Sequence, residues 1–172
     1  GMALCEEDIQ TYLERRKPGQ SRFTTMRREG DEVEILSGVF EGRTTGTPVA
    51  MVVRNTDQRS HDYDGIKDLY RPGHGDFTFD AKYGFRDYRG GGRSSGRETI
   101  SRVAAGAVAA KFLESLGIKT AAYTKSIGSI EAAPERFQME ERFMNRLCMP
   151  DAQAAARAEE YLEQVMSRGD SA

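Results

Sequence analysis

The residues best placed to do chemistry lie between Arg71 and Val103, in the stretch RPGHGDFTFDAKYGFRDYRGGGRSSGRETISRV. His74, one of only two histidines, sits between Gly73 and Gly75 with Asp76 two positions on. A histidine on a glycine-flanked loop contributes little packing and suits acid/base work or contact with a ligand. Farther along, Gly90-Gly91-Gly92 run into Arg93-Ser94-Ser95-Gly96-Arg97-Glu98. Glycine enters positive φ without steric cost, so backbone N–H groups in such a run can converge on an anion. Ser95 and Glu98 have the Ser-x-x-Glu spacing of a capping box, which predicts a helix N-terminus here. A glycine turn that delivers serines and arginines to a helix start suits a phosphate-bearing ligand, although glycine before a helix is more often ordinary turn chemistry. From Arg71 to Arg102 seven Lys/Arg stand against four Asp/Glu, a local balance of +3 in a chain of net charge −2. A second basic stretch, Arg15 to Arg28, carries six basic residues and no acidic one. Read by itself it is a solvated face with basic residues closing a helix.

The elements that must position these groups follow from periodicity and punctuation. Residues 6–17 (EEDIQTYLERRK) predict a helix, acids in its first turn and bases in its last, ended by Pro18-Gly19. Residues 32–40 alternate as a strand with Val33, Ile35 and Ser37 on one face, and 47–54 read as a second, central strand. Thr44-Thr45-Gly46 reads as a tight connection that makes the two strands antiparallel neighbours. Residues 55–68 are polar and turn-rich, and His61 among them reads as a surface histidine without a chemical role. Residues 69–92 show neither periodicity and read as a long irregular loop pinned by aromatic side chains, a feature that marks functional loops. The apolar pattern from Ile100 to Leu116 predicts a helix ending near Gly117. Residues 119–131 read as one or two strands interrupted at Gly128, 134–148 as irregular with a short helix over 140–146. Asp151 to Arg168 reads as an amphipathic helix whose face of Ala154, Ala155, Ala158, Leu162, Val165 and Met166 is core.

Bulk numbers set the class. With 38% hydrophobic and 30% charged residues, 172 residues can bury a core as a single domain, 2–172. Gly1 before Met2 reads as a tag-removal scar, so the reading starts at Met2. No apolar run approaches membrane-spanning length and no signal-peptide pattern opens the chain, so no membrane partner and a cytoplasmic location are expected. Cys5 and Cys148 stand in no metal spacing and fit a reducing compartment; with two histidines besides, no metal site is expected. Arg89-Gly-Gly-Gly-Arg93 resembles an arginine-glycine box, but the motif does not repeat and the chain is not basic overall, so no nucleic-acid partner is expected. The fold class is α+β, antiparallel strands with helices packed against them.

The motifs are more specific together than apart. RPGHGD and KYGFRDYRGGGRSSGRET, with the earlier SGVFEG, TTGTP and NTDQRS segments, resemble chorismate synthase in order and separation, from about Glu6 to the C-terminus and most strongly between Arg15 and Gly106. The Gly-Glu-Ser-His-Gly segment that carries that family's other catalytic histidine, and the family's C-terminal half, have no counterpart in these residues. The resemblance implies half of a β-α-β sandwich, a tetrameric assembly, and elimination of phosphate from 5-enolpyruvylshikimate 3-phosphate to give chorismate. It implies reduced FMN as cofactor, with NADP added in bifunctional members. His74 is implied as the catalytic histidine, Arg93, Ser94, Ser95, Arg16 and Arg22 as flavin-site residues, and Arg22 and Arg97 as substrate-binding residues. The alternative is a silent fragment or paralogue that keeps the fold and weak anion binding.

Overall fold

Helix α1, Glu6–Arg16, forms where the dipole rule places it: Glu6, Glu7 and Asp8 in the first turn, Arg15 and Arg16 in the last. Asp8 reaches back to the Cys5 N–H at 3.0 Å, satisfying one amide of the open first turn. The computed structural model describes residues 1–17, 19, 23, 30–55, 60–89, 92 and 95–172, the side chains of 60–62 excepted. Arg22, Arg93, Ser94, most of the triple-glycine run and the His61 side chain therefore lie outside the described residues. Two compact units are present, one of Gly1–Lys17 with Arg27–Lys119, the other of Pro18–Met26 with Thr120–Ala172.

In the first unit, β1 (Val33–Ser37) pairs antiparallel with β4 (Ala50–Val53), Val33 opposite Val53 and Ile35 opposite Met51. The pair is antiparallel as expected, but β4 is not central: β1 is the one partner recorded for it. The connection differs as well. Instead of a tight turn at Thr44-Thr45-Gly46 it contains a hairpin of β2 (Val39–Phe40) and β3 (Arg43–Thr44), to which Ala3 adds a bridge at Arg43. The cause is Gly38. It has φ +85°, and a Cβ there would lie 2.7 Å from the Pro48 carbonyl oxygen and from the Val49 Cα. The chain turns sharply at that point and the expected single strand 32–40 becomes two.

Helix α1 lies along the outer edge of β1. Gln10 Oε1 accepts the Val33 N–H at 3.1 Å and Glu6 Oε1 accepts that of Ile35 at 3.3 Å, so side chains satisfy a strand edge that would otherwise invite pairing. Helix α3, Thr99–Ser115, packs on α1 through small residues. Leu4, Ile9, Leu13, Val33, Ile100, Ala104 and Ala107 form one buried cluster, the alanines allowing close approach of the two helices. The α3 pattern is buried only in its first half; Phe112 and Leu116, expected on the apolar face, are exposed.

The irregular loop expected over 69–92 contains a helix, α2, Asp76–Tyr83. Gly75 and Gly84 bracket it in left-handed conformation, and Gly84 N–H closes on the Asp80 carbonyl at 2.9 Å. Phe79 and Tyr83, one turn apart, meet with ring centroids 5.4 Å apart. Eight residues give barely two turns, and the outward Phe77 and Tyr83 leave no apolar stripe for a periodicity search to find.

The second unit is built around α4, Ala152–Ser167, and a hairpin of β5 (Ser126–Ile127) and β6 (Ile130–Glu131). The helix predicted over 140–146 is instead a 3₁₀ stretch, Met139–Phe143. Ala154, Ala155, Ala158 and Val165 are buried as expected, while Met166 is exposed. Among the described strands all pairing is antiparallel, and with the helices it makes the fold α+β.

Asp151 holds this unit together. Its carboxylate accepts N–H groups of Gln153 and Ala154 at the start of α4, that of Ala133, and the Arg136 guanidinium, all between 3.0 and 3.2 Å. Burial pushes its carboxyl up, but these donors together outweigh that and hold it at about 2 instead of 3.8. Replacing it removes a helix cap and an ion-pair partner at once, so Asp151→Ala is expected to cost about 2 to 4 kcal/mol by denaturant unfolding. Because the folded value is depressed, the contribution is full above about 3.8 and is lost as pH falls toward about 2. The difference between parent and variant should shrink over that window.

Candidate active site

Two clusters in the first unit gather the residues singled out by the sequence. The first centres on Asp31, a residue no motif marked. Asp31 is 2% exposed and takes φ +48°, a left-handed conformation that aspartate tolerates better than most side chains. Arg16, at the last turn of α1, places Nη1 3.0 Å from Asp31 Oδ2. Arg97, just before α3, places Nη2 3.0 Å from Oδ1. Two guanidiniums thus share one carboxylate.

Local structure fixes both arginines. Arg16 Nε donates to Thr99 Oγ1 at 3.3 Å and its Nη2 to the Gly96 carbonyl at 3.5 Å. Ser95 caps the 3₁₀ turn Gly96–Glu98, its hydroxyl accepting the Arg97 N–H at 3.3 Å. The capping prediction is met in kind, with a 3₁₀ turn preceding the α-helix. Burial first, and the Arg16 cation second, push the Arg97 guanidinium below its ordinary value. The fold therefore joins Arg16 to the distant Arg97, which Ser95 caps, around a carboxylate that sequence reasoning missed. The only local trace of Asp31 is its place after Gly30 at the entry to β1.

The second cluster carries His74. The segment Arg71–Asp76 closes on itself: the Asp76 carboxylate accepts the Arg71 N–H at 2.9 Å, its Nε at 3.0 Å and its Nη2 at 3.1 Å. Arg86 Nη1 lies 3.5 Å from the same carboxylate. Asp76 is 4% exposed. Hydrogen bonds from Arg71 outweigh its burial and hold its carboxyl at about 2. Gly73 and Gly75, at φ 71° and 67°, let the chain turn twice inside this clasp. His74, between them, is exposed, and its Nδ1 is 2.8 Å from the Pro72 carbonyl oxygen. Arg71 and Arg86 stack over the rings of Tyr63 and Tyr70, with guanidinium carbons 5.3 and 5.1 Å from the centroids.

Among the described residues no group of three His, Cys, Asp or Glu could hold a metal ion, and no helix is long and apolar enough to cross a membrane. The family model for chorismate synthase matches residues 1–172. The chain belongs to the chorismate synthase family. It is 64% identical over 166 residues to the chorismate synthase of Agathobacter rectalis, covering 96% of this chain and 45% of that protein. It is 61% identical over 171 residues to the chorismate synthase of Lachnospira eligens, covering 99% and 47% respectively. A crystal structure of chorismate synthase is similar with a TM-score of 0.70 and 32% identity, over 98% of this chain and 47% of that one. The chain spans about half the length of the curated relatives it matches.

Two expectations follow from the clusters. Asp31→Ala leaves the two guanidiniums facing each other without their shared carboxylate, and should cost about 3 kcal/mol or more by chemical denaturation. For Asp76 the folded value is depressed, so its contribution is full above about 3.8 and lost as pH falls toward about 2. Protection factors of the α2 amides, with exchange corrected for its intrinsic pH dependence, should fall across that window in the parent and be low throughout in Asp76→Asn.

Proposed function

We propose that this chain contributes to a chorismate synthase active site, in which 5-enolpyruvylshikimate 3-phosphate loses phosphate to give chorismate. One observation supports the reading beyond family membership: Arg16 and Arg97 are brought together at the single buried carboxylate of Asp31, beside a serine-capped turn that leads into a helix. In the reaction the C–O bond to phosphate breaks, a hydrogen leaves another carbon, and a second double bond forms without net change of oxidation state. Negative charge gathers on the departing phosphate, and preorganised guanidiniums stabilise it where it develops. Arg97 and Arg16 take that role here, with Arg22 as a further arginine on the substrate and flavin side.

His74 is the acid/base group facing the cofactor, and Arg93, Ser94 and Ser95 line the cofactor site. The residue types fit reduced FMN: arginines would hold its phosphate, and an imidazole with Nδ1 engaged by the Pro72 carbonyl would offer Nε2 to a ring nitrogen. When bound, the reduced flavin would supply electron density that stabilises an electron-poor substrate; in a bifunctional member NADPH would reduce the flavin by hydride donation and leave as NADP. The activity is proposed for the polypeptide of the relatives' full length, as a homotetramer in the cytoplasm; the 172-residue chain by itself is proposed to bind anions weakly and to turn over nothing.

Phosphate release from the enolpyruvyl substrate under anaerobic, reduced-flavin conditions tests this in a polypeptide of full length. His74→Ala should lower turnover about a hundred- to ten-thousandfold with the fold intact. Arg97→Ala should weaken substrate binding roughly ten- to a hundredfold, the usual loss for one charge-assisted phosphate contact. Unchanged turnover in His74→Ala would refute the acid/base role, and clear turnover by the 172-residue chain alone would refute its assignment as part of a site.

A further inference from the structure

A carbonyl oxygen only accepts hydrogen bonds, so the 2.8 Å contact between His74 Nδ1 and the Pro72 carbonyl requires the proton on Nδ1. In a neutral ring Nε2 then carries the lone pair. What places that carbonyl is the clasp around it. Asp76 grips Arg71 at its backbone N–H and at two guanidinium nitrogens, while the His74 N–H donates to the Arg71 carbonyl at 3.3 Å. Pro72, with its φ set by the ring, joins the gripped residue to the histidine turn. Arg86 braces the same carboxylate and is itself held by the Leu69 carbonyl at 2.9 Å, by that of Lys67, and by Asp80 at 3.9 Å. A buried carboxylate with this many donors is a rigid anchor.

We propose that Asp76 is a positioning residue: by clasping Arg71 it holds the Pro72 carbonyl against the His74 ring, fixes the imidazole as its Nδ1–H tautomer, and reserves Nε2 for proton exchange with a bound ligand. The functional half of this statement rests on the acid/base reading of His74; the structural half does not. A loose turn would let the ring sample both tautomers, and encounters with the Nε2–H form would present the wrong nitrogen. The clasp removes that choice before any ligand arrives.

The chain has only two histidines, so His61→Gln leaves a single imidazole to observe. Long-range proton–nitrogen NMR of that variant at about pH 8, where an ordinary imidazole is neutral, should show the Nδ1–H form dominating. Asp76→Asn should shift the tautomer ratio toward Nε2–H by roughly fivefold or more, the worth of one ordinary hydrogen bond. Arg71→Lys, which keeps the charge but not the two-pronged grip, should shift it the same way and decides the matter if Asp76→Asn unravels α2. Asp87→Asn, whose exposed carboxylate faces Arg89 instead, should leave the ratio alone. A dominant Nε2–H form with Asp76 in place, or a ratio unmoved by both clasp variants, overturns the proposal. Loss of tautomer control together with unchanged turnover in full-length His74→Ala would instead sink the acid/base reading and leave the positioning role standing.

Discussion

The charge buried by the described core belongs to three aspartates, Asp31, Asp76 and Asp151, and each is held by arginine. A lone carboxylate taken out of water loses several kcal/mol of hydration, so burial is tolerated only where donors replace the solvent. That requirement shapes the molecule locally. Asp31 needs two guanidiniums and so draws the end of α1 to the start of α3. Asp76 needs Arg71 and so closes a turn that presents His74. Asp151 needs backbone amides and Arg136 and so ties a 3₁₀ turn to the start of α4. Conversely, removing one member leaves charges that the surrounding structure cannot hydrate.

Apolar packing around these anchors is thin. The first unit's buried cluster is seven residues, two of them alanine, and the second's is five, three of them alanine. On α3 the residues Ala105, Ala109, Phe112 and Leu116 recur at helical spacing and are all exposed, so one face of that helix is open in the first unit. Such a face is the kind that a further layer of structure covers in a sandwich with helices between sheets, and it is a liability for self-association when bare.

The two clusters of the first unit use arginine in different ways. In the Asp31 cluster two guanidiniums from distant parts of the chain meet one buried carboxylate. In the Asp76 cluster one carboxylate is gripped three times by Arg71 and braced by Arg86, which closes the turn that presents His74. In both, arginine is the residue of choice because its planar fork can bond a carboxylate with one edge and stack or bond elsewhere with the other.

The sequence by itself determined the family, the α+β class, α1 and α4 to within a residue or two, and the start of α3. These signals are local: charges at helix ends, a Ser-x-x-Glu cap, Asp151 before an apolar face, and motifs whose order and spacing identify a resemblance without any contact being known. The family resemblance, and not residue type alone, singled out Arg16, Ser95 and Arg97, since the stretch around Arg16 reads by itself as a solvated face. Asp31 was illegible because an aspartate before a strand looks like any solvated turn; only the return of the chain at Arg97 makes it buried and shared. Helix α2 was illegible because its two turns are stabilised by glycine caps and a carboxylate clasp, and not by an apolar stripe. The break at Gly38 was hidden for a related reason, since the close approach of Pro48 and Val49 that demands a glycine there comes from a later part of the chain. Tertiary structure alone decided these features, because each depends on which distant group arrives to satisfy a buried charge or to fill the space against a backbone.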